Sequence, residues 1–500
     1  MPQHRHTCNH CHESADDESD PHLETTIAAI DWNVIASIAC RLLKVSEYHW
    51  GSQQLSGGYN VVRFLHMDSD SDDDKNGGTV LVVRVPYRPE SGWTPENSKF
   101  FADRLSSEVA TMRYVRTHTN IPVPRIIHHS AEVDSGGAGS PYIIMTKVDG
   151  VALSSIWDDM EDSKREIVLR QVVDILLELA SQRFDKIGML FQQESHTDSD
   201  PIDKNAWYIM PYIGPTTTAS VHPSLLSKTF TSVIDYWLTR TNTKLNTIYN
   251  TWFGHENKIY EYGITWFLRS IIPALYDPSL DISGFPICPG DFHSQNIMIV
   301  DADTSSPRIS GVIDWEFSCT RGTSSFSQYP FFIIDHPIWD DDHPLRARNV
   351  RDQATFISLM REAEKKDPTS DLLPLSHAFA KCHGVYLFEQ CIESEIMFSE
   401  LYPQLFAYIY GEEEDSKDAD FSTEYYMALD NGILKKEGQQ FRAETEVWKE
   451  VLNVLGSELV SRFMSRIEFR NVVENHVDRF PKGGLVRDWL EEVIPEHHLY

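Results

Sequence analysis

Cysteine, basic residues and long apolar runs are all scarce in this sequence, and each shortage excludes a class of protein. The chain of 500 residues has 7 cysteines, too few and odd in number for a disulfide framework, so we expect a reducing compartment. Its 44 Lys and Arg residues are outnumbered by 75 Asp and Glu residues, which gives a net charge of −31. Because a field of that sign repels polyanions, we expect no nucleic-acid partner.

Two further features that the sequence lacks disfavour a membrane protein and a secreted protein. No apolar run reaches the roughly 18 residues that a membrane helix requires, so we expect no membrane partner. The N-terminus has no apolar core of a secretory signal, and its acidic content is untypical of an organelle transit peptide. The sequence therefore predicts a soluble, cytoplasmic protein.

Composition indicates a globular chain with one unusual end. Hydrophobic residues make up 41% of the sequence, enough for a sizeable core. Residues 1–24 are acidic, rich in His and Cys and poor in large aliphatic side chains, so we expect a disordered tail. Within that tail, metal binding by Cys8 and Cys11 is an alternative, but a single C-x-x-C pair is weak support for it.

The next 124 or so positions, residues 25–148, read as a small strand-rich unit. Apolar spacing predicts a helix over 27–43, strands over 47–55, 59–67, 79–87 and 142–145, and a helix over 94–117. The acidic run over 68–78 is predicted to be a solvated hairpin loop rather than a metal site. Glu108 shares a helix face with Leu105 and Met112, so its carboxylate needs a cationic partner.

Beyond residue 148 the pattern is mainly helical. Helical spacing recurs over residues 167–184, 236–245, 264–275, 375–398 and 444–464. The order of elements predicts an α+β protein with a small antiparallel sheet and one helix in an N-lobe, 25–148, and a larger helical C-lobe, 149–500.

Candidate chemistry is concentrated in residues 287–316, which read as loop, strand, turn, strand, loop. Asp291 and Asn296 lie in the loop just before an apolar strand, and Asp314 follows the returning strand. A hairpin of these two strands would bring the three side chains together. Converging hard oxygen ligands favour Mg²⁺. Phosphoryl transfer needs a carboxylate for the attacking hydroxyl, and an amide and a second carboxylate for the metal. The alternative is structural, with Asp291 and Asn296 capping a turn and Asp314 capping the next segment.

This pattern resembles the aminoglycoside phosphotransferase and choline kinase group, a small-molecule branch of the protein-kinase-like fold, and in particular fungal members of unassigned substrate. The segments that carry the resemblance are Gly290-Asp291-Phe292-His293 with Asn296, Ile313-Asp314-Trp315-Glu316, Ser56-Gly57-Gly58, Val83-Arg84-Val85 and Glu108. The resemblance implies a two-lobed fold that uses ATP and Mg²⁺ as cofactors.

Residue roles follow from the same resemblance. It makes Asp291 the catalytic base and Asn296 and Asp314 the Mg²⁺ ligands. It places Gly57 and Gly58 over the phosphates, Arg84 with Glu108 at the nucleotide, and the strand containing Met145 and Val148 at the adenine.

Two departures from the family pattern stand out. Pro289 occupies a position that is usually His, a loss for which His293 is a candidate replacement. Arg84 stands where the third strand usually carries Lys, and it can pair with phosphate or with Glu108. The alternative is that Arg84 is an unpaired surface residue. Its neighbours Val82, Val83 and Val85 are all apolar, so the pattern does not show which side of the strand faces solvent.

The sequence thus predicts an enzyme, a kinase that transfers the γ-phosphate of ATP to a hydroxyl of a small molecule. The alternative is a pseudokinase-like scaffold that binds a ligand or a protein. A protein kinase ranks third, since its glycine-loop repeat and activation-segment signature are missing. A second acidic stretch (Asp335, Asp340, Asp341 and Asp342, with His336 and Trp339) either lines a cleft for a cationic substrate or is a solvated face.

Overall fold

The protein is represented by a computed structural model that describes residues 21–68, 79–133, 137–193, 207–214, 228–251, 258–340, 342–366, 374–394, 398–411, 421–460 and 464–492. Several predictions fall outside these described residues: the tail up to residue 20 with Cys8 and Cys11, the acidic loop over 69–78, and Asp341.

Five antiparallel strands form the N-terminal sheet in the order β1-β2-β3-β5-β4. They are β1 (Glu47–Ser56), β2 (Asn60–Asp68), β3 (Thr79–Pro86), β4 (Ile126–Ser130) and β5 (Tyr142–Thr146). The four predicted strands are confirmed. Strand β4 was not predicted, because its two histidines interrupt the apolar pattern.

Two helices, α1 (Pro21–Ala28) and α2 (Trp32–Leu43), precede the sheet where one was predicted. The break is at Asp31, whose side chain caps α2 by accepting hydrogen bonds from the backbone N–H groups of Asn33 and Val34. The predicted tail boundary is also wrong, since residues 21–24 are helical. Pro21 suits this start because proline is favoured in the first turn of a helix.

Helix α3 (Pro95–His118) lies against the sheet and begins with a capping box. The Thr94 hydroxyl accepts a hydrogen bond from the Asn97 N–H, and the Asn97 side chain accepts one from the Thr94 N–H. On the sheet, Val83 and Val85 pack on the side of α2. Because side chains alternate along a strand, Arg84 points to the other side, towards Glu108 of α3.

The rest of the chain is mainly helical, with short strands around the loop that carries Asp291. The strands are β6 (Val151–Ala152), β7 (Arg183–Phe184), β8 (Met189–Gln192), β9 (Trp207–Met210), β10 (Phe285–Cys288), β11 (Ile297–Val300), β12 (Arg308–Val312) and β13 (Cys319–Thr320). The helices are α4 (Asp162–Ser181), α5 (Val233–Thr251), α6 (Lys258–Leu275), α7 (Thr323–Phe326), α8 (Arg346–Lys366), α9 (Leu375–Phe379), α10 (Cys382–Glu393), α11 (Phe398–Tyr410), α12 (Phe421–Asn431), α13 (Lys435–Leu455), α14 (Arg466–Asn475) and α15 (Leu485–Glu491).

One hydrophobic core joins the sheet side to the helical side beneath the candidate site. Leu105 and Met112 of α3 belong to the same buried cluster as Ile297 of β11, Val312 of β12 and the fully buried Trp315. This shared core fixes α3 relative to the β11–β12 hairpin. The predicted small antiparallel sheet and larger helical part are both confirmed.

No helix in the described ranges combines the length and the apolar character needed to cross a membrane.

Candidate functional site

The loop after β10 holds the Asp291 carboxylate from both sides. Nδ2 of Asn296 donates to the backbone oxygen of Asp291 at 3.0 Å and to its Oδ2 at 3.1 Å. Nε2 of His293 lies 3.0 Å from the other carboxylate oxygen, Oδ1. One carboxylate oxygen thus accepts an amide hydrogen bond and the other lies beside the imidazole, and both contacts limit the orientation of the carboxylate. His293 was the candidate replacement for the residue lost at Pro289, and its ring lies in contact with Asp291.

The β11–β12 hairpin brings Asn296 beside Asp314. The strands pair from Ile297 opposite Val312, and the N–H of Ile313 donates to the backbone oxygen of Asn296 at 2.8 Å. Asp314 follows directly and has a φ of +59°, which is left-handed and unfavourable for most side chains. Such backbone strain clusters at functional sites. The hairpin thus places Asp291, Asn296 and Asp314 together, as the sequence predicted.

Gly290 allows the Asp291 loop to lie directly on the segment that follows Asp314. A Cβ at this position would be 2.3 Å from the backbone oxygen of Glu316 and 2.6 Å from the carbonyl carbon of Phe317. These contacts are too close for any side chain, so only glycine permits this approach. The N–H of Gly290 donates to Oγ of Ser318 at 3.3 Å.

Arg84 is buried and ion-paired, which excludes the unpaired surface residue considered above. Its Nη1 donates to Oε1 of Glu108, the cationic partner that this carboxylate needed. Its Nη2 donates to Oε2 of Glu316 and lies 2.8 Å from Oδ1 of Asp314. The guanidinium therefore joins β3, α3 and the Asp314 segment.

Glu316 is a second centre of this network and was not predicted as one. Its Oε1 lies 2.7 Å from Nε of Arg104, and its Oε2 also accepts a hydrogen bond of 2.8 Å from Nδ2 of Asn60. Only about 5% of Glu316 is exposed. Arg104 lies one turn before Glu108 on the same face of α3, and this i, i+4 spacing was the signal available in the sequence.

Aromatic rings enclose Arg104. Its guanidinium carbon lies 4.7 Å from the ring centre of Phe101, 5.1 Å from that of Phe317 and 5.6 Å from that of Tyr59. Tyr59 and Phe317 also make an edge contact with each other. Arg104 therefore connects α3 with both the turn after β1 and the Asp314 segment.

The network is short of positive charge. Arg84 and Arg104 face three carboxylates, those of Glu108, Asp314 and Glu316. Burial raises the pKa of Glu108 to about 8, against the opposing effect of Arg84. Burial also raises the pKa of Asp314, and the charges of Glu316 and Asp291 add to this effect. A cation placed beside Asp314 would favour the charged form of its carboxylate.

The side chains fit a magnesium ion. Oδ1 of Asp314 is buried, and its one contact of this kind in the described part of the chain is the 2.8 Å ion pair with Arg84. Asn296 uses its amide nitrogen for Asp291, which leaves its oxygen for a metal. The described ranges contain no group of three or more His, Cys, Asp or Glu residues that could hold a metal. One carboxylate and one amide match the way Mg²⁺ binds together with phosphates.

The residues that were predicted to bind the nucleotide lie in several different parts of the structure. Gly57 and Gly58 lie in the turn between β1 and β2, where the Gly57 N–H donates to the backbone oxygen of Asn60 at 3.0 Å. A Cβ at Gly58 would meet no atom within 4 Å, so local packing does not require glycine there. Met145 is on β5, opposite Val82 of β3. Val148 lies beside Gly311 of β12.

The second acidic stretch is mostly neutralised or exposed. Oδ1 of Asp335 lies 3.2 Å from Nε of Arg346. Asp340 and Asp342 are exposed, and His336 is buried. These contacts favour a solvated face over a cleft for a cation.

One protein-family model matches part of the chain. Residues 56–243 match the phosphotransferase enzyme family. The expected resemblance is therefore confirmed over a range that includes Arg84 and Glu108 and ends before Asp291.

Two fungal relatives match part of the sequence. Altered inheritance of mitochondria protein 9, mitochondrial, from Candida tropicalis is 30% identical over 155 residues, which cover 28% of this chain and 24% of the relative. The subtelomeric hrmA-associated cluster protein from Aspergillus fumigatus is 28% identical over 139 residues, again 28% of this chain and 24% of the relative. The chain thus spans about a quarter of the length of these relatives.

The predicted cytoplasmic location is wrong by this comparison, because several of the relatives are mitochondrial proteins. That prediction depended on the acidic content of the N-terminus, which is untypical of an organelle transit peptide.

Two solved structures are similar at low identity. The streptomycin-ATP-APH(2″)-IIa ternary complex is 13% identical, covers 73% of this chain and 92% of its own, and has a TM-score of 0.39. The GDP complex of wild-type aminoglycoside 2′-phosphotransferase-IIIa is 11% identical, covers 76% and 100%, and has a TM-score of 0.37.

Proposed function

We propose that this protein is an ATP- and Mg²⁺-dependent phosphotransferase that transfers the γ-phosphate to a hydroxyl group of a small molecule. The observation that carries the proposal is the convergence of Asp291, Asn296 and Asp314 at one end of the β11–β12 hairpin. The family match over residues 56–243 supports it independently.

Each side chain has a task in this reaction. Asp291, held by Asn296 and His293, orients the acceptor hydroxyl and accepts its proton. The hydroxyl oxygen forms the new bond to the γ-phosphorus as the bond to the β-γ bridging oxygen breaks, and ADP leaves with that oxygen. Asn296 and Asp314 would hold Mg²⁺, which when bound neutralises charge on the phosphates.

The N-terminal sheet would supply the nucleotide site. Gly57 and Gly58 allow the backbone of the β1–β2 turn to approach the phosphates without a side chain between them. Arg84 acts mainly by holding Glu108 and the Asp314 segment in place. Met145 and Val148 would contribute the backbone that contacts the adenine.

A pseudokinase-like scaffold is the second candidate, and one observation favours it. Both terminal nitrogens of Arg84 contact carboxylates of the protein itself, so this cation is not free to bind phosphate. In a scaffold of this kind the fold and its ion network would persist without turnover.

Substitution of Asp291 tests the proposal. Asp291→Asn keeps the size of the side chain and removes the base, and Asp149→Asn is the control because the Asp149 side chain is 92% exposed. We expect ADP release with a panel of hydroxylated small molecules to fall by about 10²-fold or more in Asp291→Asn alone. Equal ADP release from Asp291→Asn and the wild type would reject the enzyme in favour of the scaffold.

A further inference from the structure

A second polar cluster lies beside the Asp291 loop, on the helical side of the chain. We call it the arginine cluster, and it consists of Arg240 of α5, Cys319 of β13, Arg321, and Glu389 and Glu393 of α10. None of these residues takes part in the nucleotide and metal site described above. The two arginine side chains are each 21% exposed, so solvent reaches the cluster.

Arg321 is poorly supplied with acceptors for a guanidinium in such an enclosed place. Its Nε donates to Sγ of Cys319 at 3.3 Å. The nearest carboxylate oxygen in the described part of the chain is Oε2 of Glu389, 3.9 Å from Nη1, which is too long for a hydrogen bond. A guanidinium has five N–H donors, and among the described residues the Arg321 side chain has a hydrogen-bond acceptor for Nε alone.

Glu389 cannot serve as a full partner because it is already engaged. The Tyr276 hydroxyl donates to its Oε1 at 2.9 Å, and Nε2 of Gln328 donates to its Oε2 at 2.7 Å. Burial raises the pKa of Glu389, and Arg321 opposes that effect. Both carboxylate oxygens of Glu389 are thus used by other donors, and its contact with Arg321 stays at 3.9 Å.

Arg240 brings a second positive charge to the same place. Its Nη1 donates to the Tyr236 hydroxyl at 2.9 Å and lies 3.1 Å from Oε1 of Glu393, which is itself partly exposed. Burial raises the pKa of the Cys319 thiol, and both Arg321 and Arg240 oppose that effect. The two guanidinium groups thus both lie near one thiol.

The sheet connects this cluster to Asp291. Cys319 lies directly opposite Cys288 across β10 and β13, and the N–H of Arg321 donates to the backbone oxygen of Pro286 at 3.1 Å. Only five residues of chain lead from Pro286 to Asp291, which is at most about 17 Å of backbone. The backbone at Arg321 and the Asp291 loop are therefore tied to the same short stretch of chain.

We propose that the arginine cluster binds an anionic group of the acceptor, a carboxylate or a phosphate ester, while a hydroxyl of the same molecule reaches Asp291. This inference rests on the proposed phosphotransferase function and adds the chemical class of its substrate. Arginine suits the task because its planar donors match a carboxylate or a phosphate in a bidentate manner. The neutralised acidic stretch around Asp335 gives no comparable support for a cationic acceptor.

The test compares three probes: gluconate as a hydroxylated carboxylate, glycerol 3-phosphate as a hydroxylated phosphate ester, and kanamycin as a polycation. ADP release from Mg·ATP is measured in the wild type, Arg321→Gln, Arg321→Lys and the control Arg308→Gln. Arg308 is 68% exposed and pairs with Asp301 in the β11–β12 turn, away from the cluster. Thermal unfolding of each variant without ligand, and with Mg·ATP, accompanies the assay.

We expect gluconate or glycerol 3-phosphate to stimulate ADP release, and whichever does so identifies the anionic group. In Arg321→Gln the KM for that probe should rise at least tenfold, and the stabilisation by Mg·ATP should be unchanged. Arg321→Lys should recover part of the loss. Arg308→Gln should behave as wild type. Stimulation by kanamycin alone, by no probe at all, or equally in Arg321→Gln and the wild type would overturn the proposal. If Mg·ATP stabilises none of the proteins, the phosphotransferase function itself fails, and this inference fails with it.

Discussion

Nε of Arg104 lies 2.7 Å from Oε1 of Glu316, and this buried ion pair joins α3 to the segment that carries Asp314. Because Glu316 also accepts a hydrogen bond from Arg84, the pair supports the other contacts of the network. Arg104 therefore positions the site from a distance, through Glu316, and has no direct contact with Asp314 among the described residues.

Removal of Arg104 tests this support. Arg104→Met leaves the Glu316 carboxylate buried without one of its partners, so we expect the free energy of unfolding to fall by about 3–5 kcal/mol in urea titrations. The double variant Arg104→Met/Glu316→Gln should lose less than the sum of the two single losses, because it removes the uncompensated charge. Arg116→Met, an exposed position on the same helix, is the control. Additive losses in the double variant would contradict the proposed coupling.

Gly290→Ala tests the close approach of the two loops. The new Cβ would meet the backbone oxygen of Glu316, so the Asp291 loop must move, and we expect a loss of about 2 kcal/mol in stability. A shift of that kind should also lower turnover by about 10²-fold. Gly58→Ala is the matched control for stability, since its Cβ meets nothing within 4 Å. Unchanged melting temperature and turnover in Gly290→Ala would show that the loop adapts without cost.

The pH dependence of stability should show the titration of Lys258. This side chain is buried beside Glu444, with Nζ 3.5 Å from Oε2, and burial lowers its pKa from 10.5 to about 8. Between these two values the unfolded chain binds more protons than the folded one, so the free energy of unfolding rises with pH, by at most about 1.4 kcal/mol per pH unit.

Urea titrations at pH 7, 8, 9 and 10 check this expectation on the wild type and Lys258→Met. The difference between them should grow in favour of the wild type above pH 8. Lys99→Met, at a side chain that is 75% exposed, should follow the wild type at every pH. Parallel profiles for the wild type and Lys258→Met would mean that Lys258 titrates normally in the folded protein.

The site could be predicted from the sequence where its geometry is local. Asp291, Asn296 and Asp314 all flank one hairpin, whose strands are visible as two apolar runs, so their convergence followed from chain order alone. Glu108 was predicted to need a cation because its position on a helix fixes the face it occupies.

The ion network could not be predicted because its partners are distant in sequence. Arg84 and Glu316 are 232 residues apart, and no periodic pattern relates them. The side of the sheet that Arg84 faces could not be predicted, because its neighbours along the strand are apolar in both directions. The packing of α2 on Val83 and Val85 determines it. The break between α1 and α2 was missed because apolar spacing continues across Asp31, although the cap itself is a recognisable residue type.

The most direct test of the central claim is thermal unfolding with ATP, with and without Mg²⁺, on the wild type and Asp314→Asn. Asn tolerates the left-handed backbone at this position, and Asp301→Asn is a matched control because Asp301 has a φ of +57° against +59° for Asp314. At a nucleotide concentration about 100 times its Kd, specific binding stabilises a protein by about 2.7 kcal/mol. We predict that this stabilisation needs Mg²⁺ in the wild type and in Asp301→Asn, and that it is lost in Asp314→Asn. The same Mg²⁺-dependent stabilisation in Asp314→Asn as in the wild type, or none in any protein, would contradict the assignment of this site to Mg·ATP.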